Sequence, residues 1–552
     1  MNILAIIPAR GGSKGIVRKN LRLLNQKPLI SYQIQNALKS ELITDVVVTS
    51  DSDDILNYSS NFPVYLRKRP AELAGDMVTL DPVVNDATLF MEWEDGKSYD
   101  VVVTLQPTSP LLSSKTLDDA INKFRDAGVD TLLPVVDATH LHWREEDESV
   151  VPDYRERLNR QWLPKKYKET GAFLITKRKF VKENSRFGDD VDIFLLDEVE
   201  GLDVDTRIDF LMAEAAIRRL RISLIVNGNS EVGMGHIHRC LTIADGFIGH
   251  DIQFYTFDSD LEALNLIRDS GYTVIEATKD SFPDLMDCDI VINDVLDTDF
   301  NYVNSLRDSG FFVVNFEDLD DGASVAHLVF NALYEKTNPQ SNHRFGYEYE
   351  CLNELFFLYP QIEFNDSPRV LFVTFGGVDQ NNLTSRVLKV APRLFKESTL
   401  EKIIVVLGGG YSHELNLDYI DPSLKSRVEV HRKVKNMPRL MSKADIAITS
   451  NGRTIYELAS MAIPTISIAQ NDRETLHLFA RYNGGINYLG ISCTQNDDDI
   501  FNSIIDIVGN SDVRRKMYLE LSGASVVIRK GLTRIINEIT SEYWKWKHDQ
   551  EY

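Results

Sequence analysis

Along the chain, apolar runs of four to eight residues recur, each followed by a longer stretch with apolar positions at helical spacing; this predicts parallel strands buried under helices. In the first part the strand runs are ILAIIPA (3–9), DVVVTSD (45–51), DVVVTLQ (100–106), TLLPVV (131–136) and GAFLITK (171–177), with helix-patterned segments such as PLISYQIQNALKS between them. Near 215–221 a helix pattern ends and a new strand, ISLIVNG (222–228), restarts the alternation. A domain boundary is expected there. Beyond it, ISLIVNG, DIQFYTF, DIVINDV and FFVVNFE precede an irregular polar stretch at 336–368, while RVLFVTFGG, KIIVVLGGG, RVEVHR, DIAITS and PTISIAQ follow it. The expected organisation is a first domain, 1–221, and two further α/β lobes, 222–360 and 361–552, with a cleft between the lobes.

Composition narrows the class. A chain of 552 residues is too long for one ordinary core. With 43% hydrophobic, 26% charged and 9% aromatic residues it has the profile of a globular enzyme. No run approaches the ~18 apolar residues of a membrane span. The opening MNILAIIPARGG lacks a basic stretch before its short apolar run and ends in a loop, so a buried strand is expected rather than a signal peptide. Cys240, Cys288, Cys351 and Cys493 form no CxxC pair, which argues against a zinc site or a disulfide framework and fits a reducing cytoplasm. The net charge of −23 argues against nucleic-acid binding, so any phosphate site must be local.

Three segments of the first part carry candidate chemistry. The first strand leads into Arg10-Gly11-Gly12-Ser13-Lys14-Gly15, with Lys19 and Asn20 close behind. The glycines allow a tight turn whose N–H groups face an anion, and the cations stand around it. It is not a Walker loop, because GxxxxGK[ST] is absent. Alone, it reads equally as a glycine-rich connection with solvated basic residues. Leu105-Gln106-Pro107-Thr108-Ser109-Pro110 ends another buried strand, where open α/β sheets bind ligands. In Gly201-Leu202-Asp203-Val204-Asp205-Thr206, alternation puts Asp203 and Asp205 on one face of an extended chain. That spacing suits Mg²⁺, and it also suits a cap for the helix that follows.

In this order the segments IIPARGGSKGIVRKN, KPLISYQIQNALKS, LQPTSPLL and GLDVDTRIDF resemble the CMP-sialic acid synthetase family, which includes the enzymes for pseudaminic and legionaminic acids. The resemblance spans 1–221 and implies a Rossmann-like nucleotidyltransferase fold. It implies that Arg10, Ser13, Lys14, Lys19 and Asn20 face CTP, and that Asp203 and Asp205 hold Mg²⁺, or Mn²⁺ in its place. Arg69 and Gln106 resemble further nucleotide and sugar contacts. Arg160, Gln161 and Tyr167, in NRQWLPKKYKETGAF, resemble a sugar-side segment, where Lys165 and Lys166 would also suit an acidic sugar's carboxylate. The reaction implied is attack of the sugar's anomeric hydroxyl on the α-phosphate of CTP, with release of pyrophosphate. The segment 136–168 resembles one that reaches a second subunit, which implies a homodimer or higher homo-oligomer.

In the second part, ISLIVNG leads to Gly233-Met234-Gly235-His236-Ile237-His238-Arg239-Cys240 at a helix start. Gly235 lets a phosphate or sugar approach the backbone, and His236 is a candidate base; a histidine satisfied by local hydrogen bonds fits as well. Later, Gly376 and Gly377 end a strand before Asn382, and Gly452 and Thr454 precede a helix that carries Glu457. These are candidate diphosphate and ribose contacts, and each is also an ordinary strand-to-helix turn.

Together GMGHIHRCLTIA, FEDLDDG, TFGGVDQNNLT and NGRTIYELASMAIPTI resemble two-lobed sugar-nucleotide enzymes of the GT-B type, above all the UDP-sugar hydrolase of pseudaminic acid biosynthesis, which is related to a spore-coat polysaccharide protein. Asn227-Gly228-Asn229 and Asn471-Asp472-Arg473-Glu474 depart from that pattern where substrate would be contacted. The resemblance implies a bifunctional enzyme of nonulosonic acid synthesis, whose second part hydrolyses a UDP-linked diacetamido sugar through His236 without a cofactor. The alternatives are a glycosyltransferase and a catalytically silent nucleotide-sugar-binding module.

Overall fold

The computed structural model describes residues 1–12, 15–75, 77–94, 96–229, 233–334, 340–415, 417, 420–432 and 434–550. The chain divides into two units, Met1–Arg219 and Leu220–Tyr552.

In the first unit the strands stand in the order Tyr167–Glu169, Thr131–Asp137, Phe173–Lys177, Val101–Leu105, Ile3–Pro8, Asp45–Ser50, Tyr65–Lys68, and Val191–Leu195 also pairs with Thr131–Asp137. Ile3–Pro8 is buried throughout and runs parallel to both Asp45–Ser50 and Val101–Leu105, as a continuous apolar strand covered on both faces should. The covering helices carry local signals. Ser113 accepts from Thr116 N to start Ser114–Ala127, and Gly128 at φ 69 ends it.

An all-parallel sheet is not what forms. Phe173–Lys177 runs antiparallel to Val101–Leu105. A parallel return needs a crossover, usually a helix. Between 138 and 172 the chain instead forms the hairpin Trp143–Glu146/Ser149–Pro152 and the antiparallel edge strand Tyr167–Glu169, so it re-enters the sheet in the opposite direction.

The second unit has two parallel sheets. One orders its strands Val274–Glu276, Asp251–Thr256, Arg221–Val226, Ile290–Asp294, Phe312–Phe316, Leu328–Asn331, His343–Phe345. The other orders them Val428–Arg432, Lys402–Leu407, Val370–Thr374, Ile446–Ser450, Thr465–Ala469, Ile486–Ile491. In both sheets the order reverses beside the first strand, which opens a crevice at the carboxyl ends of Arg221–Val226 and Ile290–Asp294, and of Val370–Thr374 and Ile446–Ser450.

The division 361–552 needs correction. The last helix, Gly531–Gln550, leaves the second lobe and buries Ile535, Ile539 and Tyr543 in the first lobe's core with Leu224, Phe254 and Phe312. Its apolar face matches that sheet, and Gly531 lets the helix start against Glu350: a Cβ there would stand 2.2 Å from the Glu350 carbonyl oxygen. The stretch 336–368, expected to be irregular, contributes the strand His343–Phe345 to the first lobe.

Candidate functional site

In the first unit the three sequence segments converge. Gly11 N donates to Asp51 Oδ1 at 2.8 Å, and a Cβ on Gly11 would meet Ser52 Cβ at 2.9 Å, so the turn after the first strand needs glycine. Asn20 is buried and donates to the Arg10 carbonyl at 2.9 Å; its amide shapes the loop. Lys19 Nζ donates to the Val204 carbonyl and to Asp205 Oδ1, both at 2.9 Å. Val204 N in turn donates to the Thr108 carbonyl at 2.7 Å, tying the acidic segment to the QPTSP turn. A Cβ on Gly171 would stand 3.1 Å from the Gln106 amide and 3.3 Å from Asp203 Oδ2, so Gln106 and Asp203 meet over a glycine. Arg69 lies buried nearby, with Nη2 on the Thr49 carbonyl at 3.0 Å and Nε unpaired. Burial lowers its pKa, and the charges of Asp51 and Arg10 reach it. Ser13 and Lys14 lie outside the described residues.

The helix cap does not need the aspartates. Thr206 accepts from Asp209 N, and Asp209 accepts from Thr206 N and Asp205 N, a capping box that starts Arg207–Ile217 by itself. Asp203 Oδ1 is buried without a hydrogen-bond partner, and burial holds its carboxyl above the usual range. Asp205 is largely exposed.

The basic sugar-side segment behaves differently. Lys165 Nζ sits on Asp137 at 2.5 Å and Lys166 on Asp153. The Lys165 contact holds the Asp137 carboxyl well below the usual range. Each of the two lysines thus already has a carboxylate partner within the same unit. Arg160 and Gln161 lie in an exposed turn, Arg160–Trp162, and Tyr167 lies on the exposed edge strand, with no hydrogen bond to the cluster among the described residues.

In the second unit, His236 stands in the first turn of Gly235–Gly246, and its Nδ1 lies 2.5 Å from Asp294 Oδ1. Asp294 is fully buried at the end of Ile290–Asp294 and receives the fork of Arg239, Nε at 2.5 Å and Nη2 on the other oxygen. Burial pushes the Asp294 carboxyl up, and Arg239 and His236 more than offset it, leaving it well below the usual range. Arg239 Nη2 also lies 3.1 Å from His236 Nδ1; in the tautomer with its proton on Nδ1, facing Asp294, the imidazole would present Nε2 as a base. His236 lines a cavity of about 220 Å³ with Asn227, Phe257, Asp258, Lys279, Val295, Leu296 and Asp297. Asn227 fixes one wall of that cavity, since its Oδ1 accepts from Thr256 Oγ1 at 3.0 Å and from Asp258 N at 3.1 Å.

Sequence reasoning missed Asp294, Arg239 and Glu317. The signal was present, a carboxylate ending the apolar run IVIND and another ending FVVNFE, where a strand residue should be apolar. Arg239 Nη1 lies 3.5 Å from Glu317 Oε1, and Arg453, beside Gly452, donates to Glu317 at 3.3 Å and to Glu350 at 2.6 Å. The two lobes thus share a chain of buried charges. Glu457 lies beside it; burial and then the Glu350 charge push its carboxyl up to about 7.

Gly376 and Gly377 pack against Gly408, where a Cβ would meet their carbonyl oxygens at 2.4 and 2.3 Å. Asn382, at φ 49, accepts from the Tyr411 hydroxyl at 2.7 Å. These residues shape the turn after Val370–Thr374. Gly235 is exposed, and Thr454 opens Thr454–Ser460.

A cytidylyltransferase family model matches residues 4–202, and a glycosyltransferase family 28 C-terminal domain model matches 370–480. A pseudaminic acid cytidylyltransferase of Campylobacter jejuni is 34% identical over 227 residues, 39% of this chain and 95% of that protein. A CMP-N,N'-diacetyllegionaminic acid synthase of Legionella pneumophila is 34% identical over 230 residues, again 39% and 95%. Among solved structures, Acinetobacter baumannii MurG is similar at 13% identity and a TM-score of 0.43, over 58% of this chain and 99% of that one. Through its first unit the chain belongs to the cytidylyltransferase family, and residues 370–480 of its second unit match the glycosyltransferase family 28 C-terminal domain.

Proposed function

We propose that the first unit transfers CMP from CTP to an acidic nonulosonic sugar of the pseudaminic or legionaminic type. The observation behind this reading is Lys19 Nζ bridging the Val204 carbonyl and Asp205, which draws the glycine loop, the QPTSP turn and the acidic strand end into one cluster. Arg10 and Lys19 meet phosphate charge, and Gln106 and Arg69 orient nucleotide and sugar. Asp203 and Asp205 fit Mg²⁺ or Mn²⁺, because Asp203 keeps a buried oxygen without a partner and two carboxylates suit an ion that shares phosphate oxygens. When bound, the ion supplies charge neutralisation at the α-phosphate. Incubation with CTP, Mg²⁺ and a panel of sialic, pseudaminic and legionaminic acids, read by mass, tests the reading; no CMP-sugar from any acid would sink it.

For the second unit the reading is sugar transfer from a nucleotide sugar such as a UDP-sugar, with His236 Nε2 taking the acceptor's proton and Asp294 holding the imidazole. The family 28 match of the second lobe favours transfer over the hydrolysis expected from the hydrolase-like motifs. Nucleotide release measured with and without saccharide acceptors separates them: transfer requires acceleration by an acceptor, and full release in water alone returns the hydrolase. The hairpin of the first unit presents exposed Trp143 and Val150, which supports a homodimer formed through that unit.

A further inference from the structure

Near the glycine turns of the second lobe, backbone seats for an anion are already filled. The Asp379 carboxylate accepts from Leu383 N at 2.8 Å and Thr384 N at 3.0 Å, at the start of Leu383–Glu397. Glu474 Oε2 accepts from Asn451 N at 3.2 Å and Gln470 N at 2.8 Å. A diphosphate entering here needs its charge met by side chains. Arg453 is tied to two carboxylates that are each 5% exposed. Arg473 is held more lightly. Its Nη1 lies 2.9 Å from Asp297 Oδ2, its Nη2 3.2 Å from Asp297 Oδ1, and its Nε donates to the Tyr334 hydroxyl at 2.8 Å. The pair is 37% and 36% exposed, and ion pairs that open to water hold weakly.

The segment carrying Arg473 is anchored to both glycine turns. Gln470 Nε2 donates at 2.9 Å to the carbonyl of Phe375, just before Gly376, and Glu474 holds Asn451, just before Gly452. At the other end of the fork, Asp297 lines the cavity that holds His236. A guanidinium fork fits a phosphate with the geometry it uses for a carboxylate.

We propose that Arg473 is a phosphate-binding residue for a nucleoside diphosphate group and that Asp297 is its place-holder. Arriving phosphate takes the fork, and the released Asp297 carboxylate faces the cavity beside His236, free to accept a hydrogen bond from a hydroxyl of the second substrate. The inference rests on reading the second unit as a nucleotide-sugar enzyme.

Calorimetric titration of the full chain with UDP, GDP, ADP and dTDP tests it; any binding by the first unit is common to all variants and cancels in the comparison. Arg473→Ala should weaken the best ligand about tenfold or more, the loss of one charge-assisted pair, and Arg473→Lys should recover part of it. Asp297→Asn should tighten binding, because the competing charge is gone. The double variant should match Arg473→Ala, since a place-holder has no effect without its cation. Melting curves confirm folded variants. Binding by the parent chain that neither substitution changes overturns the place-holder, as does weaker binding in Asp297→Asn. Diphosphate binding by none of the proteins overturns the nucleotide reading beneath it.

Discussion

Asp294→Asn keeps the size of the side chain and removes its charge at the point where the second unit's proposed base is held. Asp294 has no exposed side-chain surface, and Arg239 is 3% exposed, so both charges depend on each other. Breaking a buried pair costs about 3–5 kcal/mol. Glu317, 3.5 Å from Arg239, remains as a counter-charge, which puts the loss near the lower end, about 3 kcal/mol. The second effect is on the imidazole. An amide facing Nδ1 donates as readily as it accepts, which lets the proton settle on Nε2 and removes the base; comparable losses lie at about 10²–10⁴ in turnover. Nucleotide release from a nucleotide sugar with acceptor present, measured well below the variant's melting temperature, reads the second effect, and denaturant unfolding reads the first. His236→Asn should lose a similar factor, and the double variant no more than either alone, because the two act as one unit. A folded Asp294→Asn protein turning over within about threefold of the parent, while His236→Asn is inactive, would refute the role given to Asp294.

Further outcomes follow from particular contacts. Lys19→Met should lower CMP transfer by about 10²–10³, whereas Lys165→Met, which removes only a contact to Asp137, should stay within about threefold, since exposed pairs contribute little; initial rates with CTP and the accepted sugar check both. Glu457 holds its proton up to about pH 7 when folded, against 4.5 ordinarily. Between those values the folded state binds more protons than the unfolded chain, so stability present below 4.5 falls as pH rises to 7, by up to about 3 kcal/mol. In Glu457→Gln the melting temperature should lose that dependence and exceed the parent's at pH 8. Trp143→Asp should shift light-scattering mass from dimer to monomer, and an unchanged mass would remove the hairpin from the interface.

The elements legible in the sequence are those whose burial is decided locally. Ile3–Pro8, Asp45–Ser50, Arg221–Val226 and Ile446–Ser450 are apolar runs covered on both faces, and such runs announce themselves. Direction and partnership are not local. Phe173–Lys177 is a buried apolar run like the parallel strands of its sheet, and it runs antiparallel to both of its neighbours because of what intervenes between 138 and 172. Gly531–Gln550 is amphipathic wherever it packs, and only the matching face of the first lobe decides that it returns there.

The same distinction separates the two sites. In the first unit, each cluster member sits in a segment with its own signature, so Lys19, Gln106, Asp203 and Asp205 stand out without their contacts. In the second unit the chemistry lies in partnerships. His236 is visible in the sequence, but its value as a base depends on Asp294, whose carboxylate is kept ionised by Arg239 in a fully buried setting. Arg239 shares Glu317 with Arg453, which comes from the other lobe, beside the glycine turn at Gly452. A nucleotide moving that turn would change the charge around Glu317, and through Arg239 the hold on Asp294. The proposed base and the expected diphosphate site are thus electrostatically one assembly, joined by residues whose sequence positions alone give no sign that they meet.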